Sequence, residues 1–219
     1  MSKTISISMA VLALLVAAPA AQAEKVEVGG VQNASAPTCP GTPTRPCIVV
    51  THTTGFQAKI GDTKDYAFAP KAGRLVSFSV TTGTPDESQI SALNADFGGG
   101  PRVRIAVLKP SRDRKRYKLT GQSEVQDLTP FLGGTAEFPL VETLEVDPGD
   151  VIGLTVPTWA PVLATPEDRK DAWRASRAGV ACDDTQAQSA MQNDGMKAPF
   201  ACLYRAARVT YSATVISTP

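Results

Sequence analysis

The stretch "LVETLEVDPGDVIGLTVP", residues 140–157, sets two apolar runs on either side of an Asp-Pro-Gly-Asp corner. Leu140, Leu144 and Val146 share one parity before the corner; Ile152, Leu154 and Val156 share one after it. An apolar period of two marks a half-buried strand. Asp147 and Asp150 invite a reading as paired acids for a metal or for catalysis. The corner itself argues otherwise. Pro148 holds φ at about −65°, and Gly149 supplies the positive φ that a type II turn needs at its third residue. A tight two-residue hairpin needs positive φ at its first central residue, which proline cannot adopt. The spacing therefore predicts an arch from one sheet to another, or a longer hairpin with a bulge, with both aspartates capping the turn.

The same period runs outward from this corner. Residues 47–52 form a short β-branched run, and residues 74–82 place Val76, Phe78 and Val80 on one face. Residues 102–108 place Val103, Ile105 and Val107 inward with Arg102 and Arg104 outward. Residues 115–121 make a weaker strand, and residues 207–217 alternate Val209, Tyr211, Ala213 and Val215 with polar neighbours. One apolar and one wet face per strand is antiparallel chemistry, and two such sheets bury their apolar faces together. The expected fold is all-β: an antiparallel β-sandwich, jelly-roll-like because the connections vary in length, with about eight strands. An immunoglobulin-like order is the alternative. A short helix is expected near 86–95, and over 165–179 either a helix or a solvated loop. The second helix has Thr165 as cap, Pro166 at the first position and Gly179 as terminator. It lies in a long, partly helical excursion near 158–206.

The first 23 residues read as a signal peptide: Lys3, an apolar core over 9–18, and "AQA" at 21–23. Residues 24–46 read as an extension with a proline-rich disulfide loop, and residues 47–219 as a single β-sandwich domain. No later run is long enough for a transmembrane segment, so a secreted, extracellular protein is expected. The chain has 22 Lys+Arg against 21 Asp+Glu; without Lys3 the balance is zero. That balance argues against a nucleic-acid partner. Four cysteines allow three pairings. Cys39 with Cys47 and Cys182 with Cys202 are expected, each closing a local loop; the alternative ties the two ends of the chain together.

Several side chains are candidates for chemistry. The sole imidazole, His52, ends a strand and has no nucleophile elbow to serve. Glu142 shares the parity of Leu140 and Leu144, so it is either a buried acid with a raised pKa, or a residue on an edge strand or bulge, or the partner of an arginine. Asp183, Asp184 and Asp194 could converge on a structural calcium if their loop doubles back through Cys182 and Cys202. Zinc has no ligand set here. Arg112, Arg114, Lys115, Arg116 and Lys118 form a basic run, read either as a hairpin tip or as a grip on a polyanion. Trp159, Trp173 and Tyr204 lie in one excursion and form either a sugar-stacking platform or a small satellite core.

"LEVDPGDVIGLTVP", with "YAFAPKAGRLVSFSV" upstream, resembles exported jelly-roll domains that carry a Gly-Asp-x-Ile-Gly-Leu strand entrance late in the fold. The matching residues are Gly149, Asp150, Ile152, Gly153 and Leu154. The wording over 47–217 is similar to that of secreted β-sandwich proteins of actinobacterial type. The resemblance implies the sandwich and makes an extracellular or cell-wall glycan the natural partner; it brings no catalytic residue. The expected function is a non-catalytic structural or binding module, and the alternative is an extracellular hydrolase acting on glycan or cell-wall material.

Overall fold

The computed structural model describes residues 23–29, 33–39 and 46–218. The expected leader, residues 1–23, lies outside them apart from Ala23. In chain order the first elements are β1 (Lys25–Gly29), β2 (Val50–Ile60), β3 (Thr63–Lys64), β4 (Gly73–Thr81), α1 (Glu87–Phe97) and β5 (Arg102–Pro110). There follow β6 (Arg116–Gln122), β7 (Gln126–Asp127), β8 (Thr135–Val146), β9 (Val151–Ala160), β10 (Leu163–Ala164) and β11 (Ala172–Ala175). The last are β12 (Lys197–Pro199), β13 (Cys202–Arg205), β14 (Arg208–Val209) and β15 (Tyr211–Ser217).

These strands form an antiparallel sandwich. The smaller sheet has the order β1-β15-β4-β8, and the larger β12-β6-β5-β9-β2-β11-β13. Taking β1, β2, β4, β5, β6, β8, β9 and β15 as the eight principal strands, the first, last, third and sixth make one sheet. The second, seventh, fourth and fifth are adjacent in the other. That is jelly-roll order, two Greek keys wound into two sheets. Lys25–Gly29, within the segment read as an extension, supplies β1 and pairs along β15.

The corner at 147–150 is an arch. β8 belongs to the smaller sheet and β9 to the larger, so the chain changes sheets there. Gly149 has φ +86°, and the Asp150 amide donates to the Asp147 carbonyl at 3.0 Å, closing the turn. The Asp150 carboxylate accepts the Asp147 amide at 3.0 Å, while Asp147 pairs with Lys109 at 2.9 Å. Both acids are thus structural. Burial raises the Asp150 carboxyl above the usual range, its hydrogen bond from Asp147 opposing this.

Between the sheets lies the main core, with Leu75, Phe78 and Val80 of the smaller sheet facing Ile105, Val107, Ile152 and Leu154 of the larger. Each fully buried side chain of this size contributes roughly 1.5–3 kcal/mol. The Tyr211 hydroxyl crosses the core to donate to the Ile152 carbonyl at 2.6 Å. Contrary to the expectation of one wet face per strand, the larger sheet is covered on both. Ala106, Leu108 and Val151 point to its far face, where they pack with Phe56, Tyr117, Leu119, Met191 and Phe200. The excursion after β9 supplies Met191, Ala198 and Phe200 to that second core.

The helix expected near 86–95 is α1, opened by Asp86, whose carboxylate accepts the Gln89 amide while Gln89 reaches back to the Asp86 amide. The helix considered over 165–179 is absent. Ala172–Ala175 is strand β11, which pairs with β2 on one side and β13 on the other. There Trp173 and Ala175 turn into the core while Arg174 faces the opposite way, a period of two rather than 3.6. Two ladders of backbone hydrogen bonds outweigh the helix-capping residues at either end.

Both local disulfides are present, Cys39–Cys47 and Cys182–Cys202. No helix among the described residues is long and apolar enough to cross a membrane.

Candidate functional site

The larger sheet's far face opens into a cleft of about 1050 Å³. Its floor is aromatic. Phe56 of β2, Tyr117 of β6 and Phe200 pack together with ring centroids 4.7–5.5 Å apart. All three are buried, and burial raises the Tyr117 hydroxyl pKa. The rim is basic. The β5–β6 hairpin brings Arg114, Lys115 and Arg116; β2 and β3 bring Lys59 and Lys64; β11 and β13 bring Arg174 and Arg205. Against these seven cations stand two acids, Asp65 and Asp113. The local excess of five contrasts with a net charge of +1 for the whole chain. The rest of the chain is therefore acidic on balance, and the cleft holds a local concentration of positive charge.

The hairpin tip shows how the local sequence builds this rim. Ser111 donates to Asp113 at 2.6 Å, and the same carboxylate oxygen accepts the Lys115 amide at 3.1 Å. The Ser111 hydroxyl, and after it the Lys115 amide, hold the Asp113 carboxyl below the usual range. Arg114 takes φ +53°, which reverses the chain and lines three consecutive cations against the cleft. Its guanidinium lies 4.9 Å above the Phe68 ring and 3.4 Å from Asp65. Across the cleft, Arg174 donates to the Phe200 carbonyl at 3.0 Å.

Of the basic run read from the sequence, Arg114, Lys115 and Arg116 line the cleft; Arg112 and Lys118 are exposed outside its lining. Lys59, Lys64, Arg174 and Arg205 were not anticipated. Arg174 was read as part of a helix, and the other three stand alone in sequence. The alternation of Leu203 with Cys202 and Tyr204 carried a usable signal, since it sets Leu203 on the cleft side of β13, with Arg205 at the strand's end bordering the cleft.

The three aromatic residues read as either a platform or a satellite core are buried or half-buried. Trp159 is fully buried, with Nε1 donating to Asn94 of α1 at 3.0 Å and to the Gly99 carbonyl at 2.9 Å. Trp173 is 4 % exposed and stacks on Tyr204 at 4.6 Å between centroids. Gly55 makes room for that indole: a Cβ there would lie 2.8 Å from the ring. Trp159 and Trp173 therefore present no open platform: Trp159 seats the end of α1 on β9, and Trp173 carries β11 into the core.

Asp183, Asp184 and Asp194 do not converge. Asp184 accepts the Gln186 and Ala187 amides at 3.1 and 3.0 Å, closing its own loop. Asp194 belongs to the separate turn closed by the Met196 amide on the Asn193 carbonyl. Among the described residues no group of three or more His, Cys, Asp or Glu is placed to hold a metal ion. Calcium therefore has no assembled site at these residues. Glu142 is exposed on edge strand β8, where the register with β4 breaks between Leu75 and Ser77. His52 places both ring nitrogens near carbonyl oxygens, Nδ1 at 3.0 Å from Gln186 and Nε2 at 3.2 Å from Phe97. It ties the excursion to the end of α1.

Comparison with known proteins returns no match to a family model, a curated protein or a solved structure.

Proposed function

We infer that this chain is a non-catalytic extracellular binding module and that its ligand is an acidic glycan held in the basic cleft. The observation that carries this reading is the concentration of seven cations against two acids around one opening. An anionic polymer with a repeating charge fits such a rim better than a neutral sugar, whose recognition needs open ring faces. The two acids are already engaged, Asp113 with Ser111 and the Lys115 amide, Asp65 with Arg114. That supports binding over hydrolysis, which requires a free acid facing the scissile bond. The two disulfides and the leader-like N-terminus support an oxidising, extracellular location.

Affinity electrophoresis in gels containing polygalacturonate, with neutral dextran as control, tests this. Retardation is expected in polygalacturonate alone, weakening as salt rises from 50 to 300 mM, on the order of the change in Debye screening. Lys64→Glu and Arg116→Glu, both at exposed rim positions, should each reduce it. Equal mobility in the two gels, or retardation that survives both reversals, refutes the assignment.

A further inference from the structure

A second cavity, of about 420 Å³, lies on the opposite side of β13 from the basic cleft. Along β13, Leu203 faces the cleft and Tyr204 the second cavity; along β11, Arg174 and Trp173 divide in the same way. Its walls are mostly apolar: Ile48, Val50, Leu163 and Ala207, with the stacked Trp173–Tyr204 pair along one side. Set into these walls is Arg177, only 5 % exposed.

The surroundings of Arg177 leave its charge unanswered. Nη1 donates to the Tyr204 hydroxyl at 3.0 Å and Nη2 to the Thr51 carbonyl at 2.8 Å. Both partners are neutral, and Tyr204 passes its own proton on to the Cys182 carbonyl at 2.5 Å. Arg177 makes no ion pair among the described residues, and its Nε is buried without an acceptor. Trp173 Nε1, in the same wall, is also a buried donor without an acceptor. The Trp159 indole has two acceptors and the buried Arg208 is paired with Asp171; Arg104 Nε and Gln122 Oε1 are the other buried side-chain atoms left unmet among the described residues, but neither lines this cavity, where two unmet donors meet. A buried guanidinium without a counter-charge is costly, and native structures leave few buried donors unmet. Asp183, at the exposed edge of the cavity, does not pair with it either.

We propose that this cavity is a second ligand site, taking a small organic carboxylate with a flat apolar body. The carboxylate supplies the charge and acceptors that Arg177 and Trp173 lack, and the body lies against the apolar wall. A cavity of this size is within the range that encloses a small ligand. The exposed Arg205, at the end of β13, borders both openings, but the site rests on Arg177 and stands whether or not the cleft binds a glycan.

The probe is benzoate, with benzamide as its uncharged counterpart of similar shape. The readout is the pair of tryptophan indole ¹H–¹⁵N resonances in the purified chain. Benzoate should move the Trp173 signal saturably and leave Trp159, already doubly bonded, in place. Benzamide should bind about tenfold or more weakly, since an ionised acceptor is the stronger partner of a guanidinium. Arg177→Met should abolish the benzoate shift while Trp173 and Tyr204 stay packed. A Trp173 resonance unmoved by benzoate, equal binding of benzamide, or benzoate binding that persists in Arg177→Met overturns the proposal. Should that variant fail to fold, the comparison of benzoate with benzamide on the wild-type chain decides alone.

Discussion

Replacing Asp171 with alanine should loosen the excursion from the sandwich by an amount the structure fixes. Asp171 is fully buried, accepts the Arg208 Nε proton at 2.6 Å and accepts the Gly61 amide at 2.7 Å. It thereby ties the approach to β11, the β2–β3 turn and β14 at one point. Deleting the carboxylate removes the acceptor of the Arg208 Nε, on a side chain only 11 % exposed, and leaves the Gly61 amide without its acceptor. Breaking a buried pair from one side costs about 3–5 kcal/mol. At about 2–4 °C per kcal/mol for a chain of this length, the melting temperature should fall by roughly 6–20 °C. Asp171→Asn keeps an acceptor for Gly61 and loses only the charge, so its cost should be roughly half that of alanine. Thermal and urea melts monitored by circular dichroism measure both. The double variant Asp171→Ala with Arg208→Met should cost much less than the two singles together, because each single already loses the bond between them. A fall below about 3 °C for Asp171→Ala, or additive single and double variants, would refute the view that this pair anchors the excursion.

Two more outcomes are expected. The Asp150 carboxyl titrates above the ordinary aspartate range of about 3.9, so the native state holds this proton after the unfolded state has released it. The wild type therefore loses stability relative to Asp150→Asn as pH rises from that range through the raised value, and melts across pH 3–7 should show the difference growing and then levelling off. A constant difference would contradict this. Gly55→Ala should destabilise by about 1–3 kcal/mol, since the new methyl would stand 2.8 Å from the Trp173 ring and 3.0 Å from the Arg174 carbonyl; urea unfolding measures it, and a neutral result would mean the indole has room to shift.

The sandwich and its arch were legible because they depend on local signals. A period of two marks the strands, and Pro148-Gly149 excludes a tight hairpin whatever surrounds it. The local disulfides were legible for a similar reason. The cleft was legible only at the hairpin tip, where Arg114, Lys115 and Arg116 are consecutive. Lys59, Lys64, Arg174 and Arg205 join them through strand pairing between distant segments, which composition does not encode. The fate of the tryptophans was equally hidden. An indole is suited both to stacking on a sugar and to filling a core, and only the fold of the excursion decides. The run Ile105-Ala106-Val107-Leu108 did carry a hint of the second core, since a continuous apolar run is the pattern of a strand covered on both faces. The supposed helix over 165–179 failed because its caps are weak local preferences, while Trp173 and Ala175 had a sheet edge to join.

β12 and β13 stand at opposite ends of the larger sheet, yet only Phe200 and Ala201 separate them. The Phe200 amide donates to Lys115 beside β6, and the very next amide, of Ala201, donates to Arg177 beyond β11. The two margins of the sheet are thus laced together by one dipeptide. Neither margin can fray by itself, because opening one pulls on the peptide that secures the other. Backbone amides of β6 and β13 should accordingly exchange with solvent in a single cooperative event, although four strands separate them in the order of the sheet.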